Sequence, residues 1–131
     1  MINIFNELYT RMCEALASYD TKIKTSSVYV NIPSSYPFVS LEEIESSVYE
    51  RGSDNRVENF DENDYEVNIY TKNPLAKSTA DEILNVVDNF FGELGFVRRS
   101  KNPFQNTDET IYRIVIRYSC VVSKDKIIYR R

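Results

Sequence analysis

Apolar residues recur at three- and four-residue spacing from the start of the chain. Ile2, Phe5, Leu8, Tyr9, Met12, Cys13 and Leu16 fall on one stripe, with Asn3 or Asn6, Glu7, Arg11 and Glu14 elsewhere. This predicts an amphipathic helix that fades between Ala17 and Asp20. Residues 21–35 mix polar loop with strand-like pieces. One of them, Val28-Tyr29-Val30-Asn31-Ile32, reads either as a short strand or as an extended loop. The run Tyr36 to Glu45 is a better strand, with Pro37 at its start, where no ladder N–H is needed. Glu42-Glu43 also suits the start of a helical turn, so the pattern leaves the end of this strand open.

Residues 50–63 are polar and predict a hairpin excursion. Strict alternation follows in Tyr65-Glu66-Val67-Asn68-Ile69-Tyr70-Thr71-Lys72, which predicts a strand burying Tyr65, Val67 and Ile69. Asn73-Pro74 ends it. A second helix follows, with Ser78 or Thr79 as its cap and Asp81 and Glu82 in the first turn. Its stripe is Ala80, Ile83, Leu84, Val87, Phe90 or Phe91, and Leu94. Gly95 stands where a helix stop needs it, and Phe96 supplies the apolar contact of a Schellman-type end. Phe96 to Ser100 reads as a strand leading into turns at Asn102-Pro103 and at Asn106-Thr107-Asp108. From Thr110 to Val122 the chain alternates throughout, and the face of Tyr112, Ile114, Ile116, Tyr118, Cys120 and Val122 is the one expected to be buried. Ile127-Ile128-Tyr129 either pairs or trails as an arm.

These elements predict a single α+β domain over residues 1–131, with two helices on one face of a mainly antiparallel sheet of about four strands. A polar hairpin loop is expected at about 50–63 and a short C-terminal arm at about 124–131. The 131 residues suit one domain, and 42 % apolar with 27 % charged residues is ordinary for a globular chain. No apolar run approaches a membrane span. The start Met1-Ile2-Asn3-Ile4-Phe5-Asn6-Glu7 places an acid where a secretion signal has basic residues.

Composition narrows the chemistry further. There is no histidine, so a His base, a Ser-His or Cys-His pair and a His metal site are excluded. Cys13 and Cys120 are too few for a structural zinc centre and lie on apolar stripes, as small core residues do. Three glycines leave no phosphate-cradling loop. The acids between Asp54 and Asp64 lack the order and the glycine of a calcium loop, so no metal or cofactor is implied; a solvated acidic hairpin is the plain alternative, and a loop that projects over a neighbouring subunit is the expectation. Ten tyrosines permit base stacking, but Tyr112 and Tyr118 alternate with isoleucine and read as core. Charge is uneven: residues 1–95 carry a net −10 and residues 96–131 a net +6. Such a split suits copies that attract head to tail, although the two sets can equally mix on one surface.

The order of elements resembles the tail-terminator or tail-completion proteins of long-tailed bacteriophages and phage-like tail particles. The residues that carry the resemblance lie within about 36–122. They are the Tyr36-Pro37-Phe38-Val39 strand, the acidic hairpin and the Tyr65 to Tyr70 strand with its Thr71-Lys72-Asn73-Pro74 exit. Lys77-Ser78 follows at the head of the second helix, then Leu94-Gly95-Phe96-Val97-Arg98-Arg99. An Asn-rich turn leads into Ile111-Tyr112-Arg113-Ile114-Val115-Ile116-Arg117-Tyr118. The first helix is consistent with it, whereas the basic end from Ile127 to Arg131 departs from it.

The resemblance implies a non-enzymatic virion protein without a cofactor, assembled in the host cytoplasm. It would form a ring, usually a homohexamer, on the head-proximal end of the tail tube. There it stops tube polymerisation and offers the surface for head–tail joining. Its partners would be its own copies, the tail tube protein and a neck or head-completion protein. DNA would be only cargo passing through the ring, and no membrane is involved. On this reading Arg98, Arg99, Arg113 and Arg117 face the lumen or a neighbouring subunit, whose Glu58, Asp61 and Glu62 would receive them across the interface. The rival readings are a head-completion or neck connector adaptor of the same particle, and a small enzyme pairing carboxylates such as Glu42 and Glu45 with Glu66.

Overall fold

The computed structural model describes residues 4–27, 33, 35–48, 60–72, 76–105, 111–123 and 128–129. The chain runs α1 (Phe5–Tyr19), β1 (Lys24–Ser26), β2 (Phe38–Val48), β3 (Phe60–Lys72), α2 (Ala76–Glu93), β4 (Val97–Gln105), β5 (Ile111–Ser123) and β6 (Ile128–Tyr129). The strands lie in the order β1-β2-β3-β5-β4, with β6 also paired to β5. Every pairing is antiparallel except that of β1 with β2. Because β3 occupies one edge of β5 along its whole length, β6 takes the other edge beyond the end of β4. The fold is α+β with two helices on one face of the sheet, as expected, and the described strands number six rather than about four.

Alternation sets the core. Tyr65, Val67 and Ile69 of β3 lie opposite Tyr118, Ile116 and Ile114 of β5, and Val39 and Leu41 of β2 continue the same face. Leu8, Met12 and Leu16 of α1 and Ala80, Ile83, Leu84, Val87 and Phe91 of α2 close over them. Cys13 is half-buried and Cys120 fully buried, and the two form no disulfide.

Several boundaries differ from those the pattern predicts. The second helix starts at Ala76, so Ser78 and Thr79 stand inside its first turn and do not cap it. Ala76 is buried and lies one helical turn before Ala80, which extends the apolar stripe towards the N-terminus. Residues 60–63 of the expected hairpin belong to β3, and β2 continues through Glu42-Glu43 to Val48 without a helical turn. Asn102-Pro103 makes no turn but lies within β4. Among the described residues only β5 pairs with β4, and an edge strand tolerates proline because one row of its N–H groups is not needed for pairing. β1 has no counterpart in the predicted elements. Ile128-Tyr129 pairs, whereas residues 28–32, 50–59, 124–127 and 130–131 of the predicted segments lie outside the described residues.

The end of α2 is a Schellman stop. The Phe96 N–H donates to the Phe91 carbonyl at 3.0 Å and the Gly95 N–H to that of Gly92 at 3.1 Å. The Phe91 and Phe96 rings meet edge-on, their centroids 5.0 Å apart. Gly95 has φ 95°, where a Cβ would be strained. Gly95→Ala is expected to lower unfolding free energy by about 1–2 kcal/mol in urea denaturation. An unchanged midpoint would show that the stop tolerates a side chain.

Candidate functional site

The sheet face away from the helices carries the charges. Alternation brings Phe38, Ser40 and Glu42 of β2, Glu62, Asp64, Glu66, Asn68 and Tyr70 of β3, and Arg113, Val115, Arg117 and Ser119 of β5 to this distal face. Acids sit on the β2–β3 side and arginines on the β5–β4 side, where the strand register sets them against each other.

The centre of this face is buried. Asn68 has no exposed surface, and its Oδ1 accepts from Arg113 Nε at 3.0 Å and Nη2 at 2.8 Å. The Arg113 guanidinium lies over the Tyr70 ring, 5.4 Å from its centroid, and Phe38 packs edge-on against Tyr70 at 6.1 Å. Ser40, directly opposite Asn68, is also fully buried. Among the described residues Ser40 Oγ, Glu42 Oε1 and Asn68 Nδ2 find no hydrogen-bond partner.

Towards the rim the pairs loosen. Arg117 Nε lies 3.5 Å from Glu66 Oε1, and Arg99 Nη2 lies 3.8 Å from Glu62 Oε1, with both arginine side chains about half exposed. Arg99 also donates from Nε to Ser119 Oγ at 2.8 Å. Arg98, expected to act with Arg99, is on the other face. A bulge between Arg98 and Ser100 separates them, and Arg98 Nη1 meets Asp88 Oδ2 of α2 at 2.6 Å. The same carboxylate accepts from the Tyr118 hydroxyl. Burial, with Asp88 beside it, pushes that phenol well above its ordinary range.

The candidate interface residues thus divide. Glu62, Arg99, Arg113 and Arg117 share the distal face, and each has a partner in its own chain. Arg98 joins the helix layer. Asp61 lies in β3 opposite Val122, although its side chain is outside the described set, and Glu58 falls outside the described residues. Asn68, Tyr70 and Ser40 were missed. The alternation of β3 marks its apolar face, but only the strand register reveals that Asn68 meets an arginine.

Glu42 and Glu66, two of the carboxylates in the enzyme reading, are cross-strand neighbours. Burial raises the Glu42 carboxyl, the nearby Glu66 charge raises it further, and Arg113 opposes both. A carboxyl raised in the folded state destabilises that state while ionised and ceases to do so as pH falls through its folded pKa. Glu42→Gln is therefore expected to unfold at higher urea than wild type near about pH 7, with the difference shrinking towards about pH 4. A Gln variant weaker than wild type at neutral pH would show that the ionised carboxylate contributes to stability. Among the described residues no group of three or more Cys, Asp or Glu side chains is placed to hold a metal ion. No described helix is long and apolar enough to cross a membrane.

Comparison with protein-family models finds no match, and comparison with curated protein sequences finds none either.

Proposed function

We propose that this chain is a structural subunit of a bacteriophage tail or phage-like tail particle. It acts as a tail terminator, forming a ring on the head-proximal end of the tail tube, stopping tube growth and offering the surface that joins the head. The observation that carries this reading is the partition of charge across one sheet. Acids line β2 and β3, arginines line β5 and β4, and the helices are confined to the opposite face. A subunit whose two flanks are opposite in sign favours the head-to-tail contacts that close into rings. The half-exposed Arg99 and Arg117, whose ion pairs within their own chain are long, can exchange Glu62 and Glu66 for acids of a neighbour.

The test is electron microscopy of particles assembled without this chain. Tails of uncontrolled length and heads lacking tails are the expected result. Uniform, joined tails would overturn the reading. Density for the chain beside the portal, away from the tube end, would assign it instead to the neck.

A further inference from the structure

The two flanks of the sheet end in unlike strand edges. β1 covers β2 only from Phe38 to Ser40, so no described strand pairs with the outer edge of β2 from Leu41 to Val48. That stretch carries three glutamates and no basic residue. At the opposite flank no described strand pairs with the outer edge of β4, Val97–Gln105, which carries Arg98, Arg99 and Lys101 and no acid. Unpaired edges offer a row of backbone donors and acceptors to another strand, and charge on an edge decides which strand is accepted. Two β4 edges repel each other, as do two β2 edges, which leaves β4 against β2 as the favoured combination.

The β2 edge also presents an apolar group. A bulge between Glu43 and Glu45 interrupts the register, and Ile44 within it is 44 % exposed, one of two large apolar side chains so exposed among the described residues. Bulges re-aim side chains, and an exposed isoleucine amid acids suits a contact with apolar and basic character. β4 supplies both, with Val97 beside its arginines. Within one subunit β2 and β4 run in opposite directions, since each step β2-β3-β5-β4 is antiparallel. A rotation about an axis along the strands preserves that relation.

We infer that copies of this chain join by antiparallel pairing of the β4 edge of one, over Val97–Asn102, with the Leu41–Val48 edge of β2 in the next. This heterologous contact continues the sheet from subunit to subunit. The inference rests on the ring reading and names the surfaces that would build the ring. Pro103 sets the end of the paired stretch, because it lacks an N–H.

The test uses Lys101→Glu, which weakens the basic edge, and Ile44→Lys, which weakens the acidic one. Both positions are exposed, and circular dichroism is expected to show an unchanged fold. Light scattering of the free chain, and electron microscopy with tail tubes, should show wild type assembling. Each variant alone should self-associate at least about tenfold more weakly. Mixed, the two should associate more strongly than either alone, because each retains the edge the other lacks. Wild-type association should also weaken when salt rises from about 0.05 to about 0.5 M. Variants that assemble as wild type does, or a mixture that stays monomeric while wild type assembles, would overturn the edge pairing and leave the ring reading standing. A wild-type chain that is monomeric both free and on tubes would overturn both.

Discussion

Replacing Phe91 by alanine is expected to remove about 3–5 kcal/mol of stability, a large share of what a domain of this size has. Phe91 has no exposed surface. Its ring stacks on Tyr118 of β5 with centroids 4.3 Å apart and planes 14° apart. It also meets Phe96 edge-on at 5.0 Å. Its backbone carbonyl accepts the helix-closing bond from Phe96. One side chain thus joins the helix, the loop that leaves it and the long central strand. Truncation would leave a cavity among rigid aromatic neighbours that cannot collapse into it, which puts the cost at the upper end for core residues. Phe90, only half-buried beside it, serves as the comparison, and Phe90→Ala should cost less than half as much in urea denaturation. Equal losses would show that the helix, and not this aromatic stack, sets the stability.

That stack shows how much of the fold was legible in the sequence. The stripe from Ala80 to Leu94 and the Gly95-Phe96 stop are local signals, and the helix ends as they predict. The alternation within Thr110 to Val122 marks the β5 face that meets the helices, although Tyr112 on it is only half-buried, but the other face is not simply exposed: Val115, Ser119 and Val121 are buried too. The pattern left Phe90 and Phe91 as alternatives, since neighbouring positions on a helix share the edge of a stripe. It misread Asn102-Pro103 as a turn because those residues favour turns locally, and only the edge position of β4 makes them compatible with a strand. The three residues of β1 carry too little pattern to register.

The candidate site was less legible for a different reason. That Arg113 and Arg117 share a strand face follows from their even spacing, and the structure places both on the distal face. Their partners depend on strand register. Tyr70 lies opposite Arg113 and Glu66 opposite Arg117, and Asn68, one pair along, reaches the Arg113 guanidinium. No periodicity within a single strand carries that information. Arg98 and Arg99 belong to one basic cluster in the sequence, yet adjacent residues in a strand face opposite ways, and Arg98 turns to Asp88 of α2 while Arg99 stays on the distal face.

The two arginines of β5 should therefore behave differently when truncated. Arg113→Ala leaves the buried Asn68 Oδ1 without either of its donors and removes the cation from the Tyr70 ring. An orphaned buried acceptor costs about 1–3 kcal/mol and a partly desolvated cation–π contact about 0.5–2 kcal/mol, so a loss of about 2–4 kcal/mol is expected. It also removes the positive charge that opposes the upward shift of the Glu42 carboxyl. Glu42→Gln added to Arg113→Ala should then recover part of the loss, a coupling that a double-mutant cycle measures. Arg117→Ala gives up a half-exposed pair at 3.5 Å and should cost under about 1 kcal/mol. An assembly defect from an Arg113 variant would accordingly report a weakened fold, whereas one from Arg117→Glu in a chain of normal stability would report a lost contact between subunits. Equal stability losses from the two alanine variants would show that surface charge, and not the hydrogen bonds to buried Asn68, holds the distal face.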